Sequence, residues 1–243
     1  MLVTVIIPTA DRHEMLREAL DSVAAQSLTP HRVIVIDNGR NSVSPASLSP
    51  GVELVRTAPR IGAGAARNVG LAQVTTEFTA FLDDDDWWSA DFLQSTTSVI
   101  VQSSFAAVAS SLSRATHDGL VDSHWKCLPT SSRAQRSVYW RNPGFTGSNV
   151  LYRTDALRAI RGFSEDSDLS PSEDRDLLAR LLMSRMAVGR VNPPVTTYLR
   201  DHRVSPRLSH HVRRARLRFI RIHGRQMRLS EFLRASRKVV SGR

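Results

Sequence analysis

The chain has 243 residues, an apolar fraction of 41% and a formal net charge of +10. This size and apolar content suit one large domain with its own buried core and argue against wholesale disorder. No apolar run approaches the roughly 20 residues needed to span a bilayer. The single cysteine, Cys127, excludes an internal disulfide and a cysteine-built metal site.

In chain order, residues 1–8 lack a basic leader and a small-residue cleavage site. They read as a first strand over 2–7, not a signal peptide, so the protein is expected in the cytoplasm. Residues 11–25 have helical spacing at Met15, Ala19, Leu20 and Val23, and 31–36 form a second apolar strand ending at Asp37-Asn38-Gly39. Strand, helix, strand, with no polar alternation in the strands, argues for parallel pairing covered by helices. The Ser- and Pro-rich segment 41–50 reads as a loop, 52–55 as a short strand, 64–74 as a helix and 78–82 as a strand. A helix over 91–104 and a strand over 106–113 follow, and 114–145 have no regular pattern. Then come a strand over 149–152, a short helix over 154–160, a turn at Gly162-Phe163 and a helix over 174–186.

From Leu208 the chain is helical again, with Val212, Ala215, Phe219, Ile222, Leu229 and Leu233 close to one stripe. Residues 207–243 hold twelve Lys or Arg against one acid, Glu231, so the whole positive excess sits in this tail. The charge therefore says nothing about the substrate of the main domain. Phosphate offers no counterpart to an apolar stripe, so no nucleic acid is expected. The stripe packs on the main domain or on a second subunit as a homodimer, or the tail touches an anionic membrane surface peripherally.

The acidic run Asp83 to Asp86 follows the apolar segment 78–82 and precedes Trp87 and Trp88. Four adjacent carboxylates are costly beside an apolar strand unless a cation sits there. In an extended conformation Asp83 and Asp85 share a face, and Asp84 and Asp86 point away. Hard cations such as Mn2+ or Mg2+ take oxygen ligands and often need only one or two carboxylates, because substrate phosphates and water complete the shell. The competing reading is a solvated acidic turn, disfavoured because ligands of open α/β sheets sit beyond the carboxyl ends of strands.

Several motifs stand beside this run: residues 5–9 with Asp11 and Arg12, residues 33–39, Gly64-Ala65-Ala66-Arg67-Asn68-Val69-Gly70, residues 147–153, Gly162-Phe163 and Ser172-Glu173-Asp174. Together, in this order and spacing, they resemble the family 2 glycosyltransferases. These are inverting enzymes of the GT-A fold that use nucleotide-diphosphate sugars and a divalent metal, and the likeness spans roughly residues 3–205. The resemblance implies an α/β catalytic domain over 1–206, with a mostly parallel, Rossmann-like sheet flanked by helices. Its nucleotide-sugar part runs to about residue 113 and its acceptor side over about 114–206, with 207–243 a basic helical extension.

The resemblance also implies roles. Asp37 accepts a hydrogen bond from a pyrimidine N–H, with Thr9 and Asp11 lining the same nucleotide cleft. Asp-Asn-Gly is equally good turn chemistry. Arg67 suits base carbonyls or phosphate, the alternative being a salt bridge to the aspartate run. Asp83 or Asp84 takes the ribose hydroxyls and Asp85 the metal, with Asp83 and His202 as further ligand candidates, while Asp86 caps the following turn or helix. Trp87 and Trp88 stack on a sugar or pack on the fold. Pro8 and Gly70 are structural. Asp174 is the candidate catalytic base and Glu173 the second choice, a carboxylate being able to take the proton of an acceptor hydroxyl. The competing reading for residues 172–174 is a helix cap. Arg40 departs from the family, which usually has a small hydroxyl residue there.

The expected function is thus transfer of a sugar from a UDP-sugar to an unidentified hydroxyl acceptor. One alternative is a sugar-nucleotide pyrophosphorylase, disfavoured because no Gly-rich basic phosphate loop follows the first strand. The other is a catalytically inert module that binds a nucleotide sugar or an anionic surface, which the paired acidic motifs disfavour.

Overall fold

The computed structural model of the chain describes residues 1–116, 119–191, 195–200 and 206–241. Strand β1 (Val3–Thr9) leads through α1 (His13–Ala24) to β2 (Arg32–Asp37) and β3 (Val52–Arg56), then α2 (Ala63–Gln73) and β4 (Phe78–Phe81). Next come β5 (Trp87–Trp88), α3 (Phe92–Val101), β6 (Ala107–Ala109), β7 (Ser111–Thr116), β8 (Gly119–Lys126) and the single turn α4 (Ser132–Gln135). Strand β9 (Val150–Arg153), α5 (Thr154–Ala159), α6 (Glu173–Met183), β10 (Val188–Arg190) and β11 (Thr196–Arg200) complete the main body. Helices α7 (Pro206–His223) and α8 (Leu229–Ser241) form the tail.

The central sheet has the order β10-β6-β9-β4-β1-β2-β3. All its pairings are parallel except those of β9, which runs antiparallel to both β4 and β6. Every residue of β1 is buried, as continuous apolar character requires of a strand covered on both faces. Its side chains alternate between two cores. Val5 and Ile7 join Leu16, Ala19, Leu20 and Val23 of α1 and Phe92, Leu93 and Ile100 of α3. Ile6 points the other way, into a core shared with α2, α5, α6 and Phe219 of α7. The result is a three-layer α/β/α body.

Two sequence expectations need correction. The strand expected over 106–113 is two strands: β6 stays in the central sheet, and at Ser110 the chain crosses to a second sheet, β5-β11-β7-β8. Its break is held by side-chain bonds, Ser110 Oγ lying 2.9 Å from Thr197 Oγ1. The tail is helical as expected, but its stripe divides. Ala215 and Phe219 are buried, whereas Ile222, Leu229 and Leu233 are exposed. The third inward position of α7 is a polar residue, His223, whose Nε2 lies 2.8 Å from Asp176 Oδ1 on α6. Arg175 stacks over Phe219 at 4.3 Å from the ring centroid, so Phe219 and His223 both anchor the tail on α6.

Helix α2 crosses β1 where Gly70 meets Ile6. A Cβ at Gly70 would lie 2.5 Å from Ile6 Cγ2, and Ile6 is fully buried. Neither helix nor strand can retreat without opening the core, so Gly70→Ala should lower stability by about 1–3 kcal/mol, the usual cost of overpacking. Urea unfolding checks this, and the loss should shrink when Ile6→Ala is added.

Candidate active site

The carboxyl ends of β1 and β4 lie side by side, and the chain beyond them turns into a common cleft of about 520 Å3. Because β9 runs antiparallel, its start lies at this same edge, which brings residues 147–149 to the cleft. Thr9, Asp11, Arg12, Asn38, Arg60, Arg67, Asp83, Asp84, Asp85 and Glu173 contribute to the lining.

The aspartate run is not extended. Strand β4 ends at Phe81, and the Asp86 amide donates to the Asp83 carbonyl at 3.1 Å, closing a turn. The expected alternation of faces is therefore lost, and oxygens of Asp83, Asp85 and Asp86 come within 4.8 Å of one another. Asp86 does not cap the following helix, which Asp91 precedes. Its carboxylate instead accepts from Ser148 Oγ at 2.5 Å and from the Arg200 amide at 3.3 Å. Burial, reinforced by the charges of Asp83 and Asp85, raises the Asp86 pKa well above the ordinary carboxylate value. Asp84 turns the other way, accepting from Thr9 Oγ1 at 2.7 Å and Arg12 Nη1 at 3.1 Å. Burial pushes its pKa up to about 6 despite both partners.

Three crowded carboxylates with an all-oxygen donor set fit a hard divalent cation, which would relieve their mutual repulsion and the burial of Asp86. Asp83, Asp85 and Asp86 are the residues that can hold it. Asp83 and Asp85 were expected, but Asp86 was not, since only the turn brings it round. His202 lies outside the described residues.

Arg67 occupies the centre. It is 2% exposed, and its Nη2 lies 2.5 Å from Asp83 Oδ1. Its Nη1 lies 3.5 Å from Glu173 Oε1 and 3.8 Å from Asp174 Oδ1. Burial opposes the guanidinium charge, but Asp83, Asp174 and Glu173 outweigh it and raise its pKa. The face of the guanidinium rests on Gly147, where a Cβ would come within 2.8 Å of Nη2. Of the two readings of Arg67, the structure shows the ion pair with the acidic run, and it lies at the cleft wall.

Glu173 and Asp174 begin α6, and Ser172 makes no side-chain cap to that helix. Glu173 lines the cleft and also a second cavity of about 680 Å3, with which the cleft shares Arg60 and Ala63. Asp174 follows it on α6, with its side chain 20% exposed, and is not among the residues that line either cavity. Burial is the main cause that pushes the Asp174 pKa up to about 7, with Arg67 opposing and Glu173 and Asp83 reinforcing the shift.

Asp37 is fully buried and outside the cleft lining, its carboxylate taken by the amides of Gly39 and Val43, each at about 2.9 or 2.8 Å, and by Arg56. That is the turn chemistry of Asp-Asn-Gly, and the neighbouring Asn38 reaches the cleft instead. Asp11 lines the cleft and accepts from the amides of Arg40 and Asn41, both at 2.8 Å, which ties the loop after β1 to the loop after β2. Trp88 packs inward, stacked on Phe92, with Nε1 donating to the Ser148 carbonyl at 2.6 Å. Trp87 stacks on Tyr198 at 5.6 Å between centroids.

Sequence reasoning gave no role to Arg12, Ser148 or Arg200. Arg12 Nη1 also reaches Asp85 Oδ2 at 2.8 Å, so one cation bridges two aspartates of the run. Its signal was present: a fixed positive charge one residue after Asp11, at the strand edge where the acids gather. Ser148 both accepts from the Asp83 amide at 3.1 Å and donates to Asp86, and only the antiparallel sense of β9 places it there. Arg200 Nε donates to the Asp85 carbonyl at 3.3 Å from the far end of β11, a strand with no sequence signal strong enough to foresee.

The family described as Glycosyl transferase family 2 matches residues 4–161. The pre-mycofactocin glycosyltransferase of Mycobacterium tuberculosis (strain H37Rv) is 29% identical over 220 residues, which cover 84% of this chain and 44% of that protein. The succinoglycan biosynthesis protein ExoW of Rhizobium meliloti is 38% identical over 100 residues, covering 37% of this chain and 31% of that one. The chain thus spans less than half the length of these two relatives. Among solved structures, S. aureus TarS residues 1–349 in complex with UDP-GlcNAc superposes with a TM-score of 0.64 at 19% identity, covering 90% of this chain and 67% of that one. The mannosyltransferase PcManGT from Pyrobaculum calidifontis, in complex with GDP-Man and Mn2+, gives 0.62 at 21% identity, covering 90% and 64%. These likenesses establish a shared GT-A fold. With the family matched from the first strand through the aspartate turn to α5, the chain belongs to glycosyl transferase family 2.

Proposed function

We propose that the chain transfers a sugar from a UDP-sugar to the hydroxyl of an acceptor, with inversion at the anomeric carbon. The observation that carries this reading is the meeting of two acidic groups on Arg67: the aspartate turn after β4 and the Glu173–Asp174 pair that opens α6. One group suits a diphosphate with its cation, and the other suits a proton. That TarS is seen with UDP-GlcNAc and PcManGT with GDP-Man and Mn2+ supports a nucleotide-sugar donor.

In this reading Thr9, Asp11, Asn38 and Arg67 line the nucleotide-sugar cleft, with Asp83 or Asp84 toward the ribose. Asp37 shapes it from behind through the turn to Asn38. Arg12 supplies a positive charge beside Asp84 and Asp85, where the diphosphate enters. Asp83, Asp85 and Asp86 hold a divalent ion, Mn2+ or Mg2+, which when bound neutralises charge on the departing nucleoside diphosphate. The acceptor approaches from the second cavity, which meets the donor cleft at Arg60, Ala63 and Glu173. Asp174 takes the proton of the attacking hydroxyl as the new bond to the anomeric carbon forms and the bond to the diphosphate oxygen breaks. A carboxyl with a pKa of about 7 is suited to that transfer near neutral pH. Glu173, which faces both cavities, is the second candidate.

Two outcomes test the assignment. Asp174→Asn removes the proton acceptor with little change of shape, and UDP release from a UDP-sugar with acceptor should fall by roughly 10²–10⁴-fold while donor binding persists. Since protonated Asp174 cannot accept a proton, the wild-type rate should also decline as pH falls below about 7, and the variant should lack that limb. Near wild-type turnover in Asp174→Asn would move the base to Glu173.

Asp85→Ala should abolish metal-dependent binding of UDP, read by calorimetry with UDP and Mn2+. Undiminished affinity in a folded variant would sink the cation assignment.

A further inference from the structure

Helix α8 has two apolar faces. Its inner face presents Ala235 and Val239, 5% and 6% exposed, together with Glu231. Its outer face presents Leu229, Phe232 and Leu233, 74%, 40% and 48% exposed. Leu229 and Leu233 are four residues apart and so lie one above the other on a helix, with Phe232 beside them. A single exposed leucine needs no explanation, but three large apolar side chains within two turns of one helix form a face that water does not favour.

The charge of the tail that carries this face is almost wholly of one sign, twelve Lys or Arg against one acid. Glu231, the one acid of residues 207–243, turns inward, where Arg136 binds both its oxygens at 2.8 and 2.7 Å. Arg221, Arg225 and Arg237 are exposed and make no ion pair among the described residues. The inner stripe of the tail, through Ala215 and Phe219, is already used against α6, so packing on the main body leaves the outer face uncovered. A second copy of the chain would bring a second basic tail against the first. Nucleic acid would answer the arginines and leave the leucines in water. An anionic lipid surface answers both, with acyl chains for the leucines and phenylalanine and headgroup phosphates for the arginines.

We infer that the outer face of α8 docks the protein peripherally on an anionic membrane surface, lying in the interface with Leu229, Phe232 and Leu233 turned into it. No helix among the described residues is long and apolar enough to cross a membrane, so the contact is one of a helix lying flat. This inference is independent of the catalytic assignment, because it uses none of the cleft residues.

The test is co-sedimentation of the full chain with neutral phosphatidylcholine vesicles and with vesicles containing about 30% phosphatidylserine, at low and high salt. Binding to the anionic vesicles at low salt is expected, with at least tenfold loss at high salt and little binding to neutral vesicles. The double variant Leu229→Gln, Leu233→Gln changes only exposed positions, so its thermal unfolding should match the wild type while its vesicle binding falls severalfold. Absence of binding to anionic vesicles at low salt would overturn the inference. Equal binding to neutral vesicles would overturn its electrostatic part, and full binding by the double variant its apolar part. A concentration-dependent dimer in sedimentation velocity, lost in the same double variant, would assign the face to a second copy instead.

Discussion

A charged guanidinium with 2% exposure is the constraint around which this molecule is organised. Taking Arg67 out of water costs several kcal/mol, and only carboxylates at short range can offset it. Those carboxylates come from the turn after β4 and from the first turn of α6, which lies 106 residues after Arg67. The relation is mutual. Without Arg67 the same acids would face one another unpaired, and the edge of the sheet would carry uncompensated negative charge. Gly147 completes the arrangement, since any side chain there would push the guanidinium off its seat. Three distant stretches of sequence are therefore committed to one geometry by one buried charge.

The same crowding explains the chemistry of the cleft. Surrounding protein and neighbouring acids together raise the pKa values of Asp84, Asp86 and Asp174. Asp11 and Asp166 show the opposite: hydrogen-bonded by amides or an arginine near the surface, both are shifted downward. Environment, not residue type, separates acids that can move a proton from acids that only brace a loop.

The long apolar strands β1, β2 and β4 and the amphipathic helices α1 and α6 are legible in the sequence because burial on one or both faces leaves a pattern. Direction is not legible: 149–152 reads as a strand, but nothing in Asn-Val-Leu-Tyr says that it runs against its neighbours. That sense decides whether Ser148 reaches the aspartates. Strands β5, β10 and β11 are too short or too polar to leave a pattern, and the break at Ser110 depends on bonds to a strand nearly ninety residues away. At the site, residue types are legible and register is not. Four consecutive aspartates announce a cation, yet the turn between Asp83 and Asp86 assigns the inward places, and a turn of four identical residues has no sequence signature. The tail misled in a similar way, because a stripe drawn through both helices ignores the bend at residues 224–226, after which α8 presents a new face.

His223 gives the tail a further meaning. Its ring nitrogen bonds Asp176, two residues along α6 from Asp174, in a contact where both side chains are almost wholly buried. The C-terminal helices are therefore no tether but a lever fixed to the helix that opens with the proposed base. A protein docked through such a lever holds its cleft at one inclination to the surface beneath it. An acceptor embedded in that surface would be found by lateral diffusion in two dimensions, not by collision from solution, and the reach of the enzyme above the plane would be set by helix geometry alone.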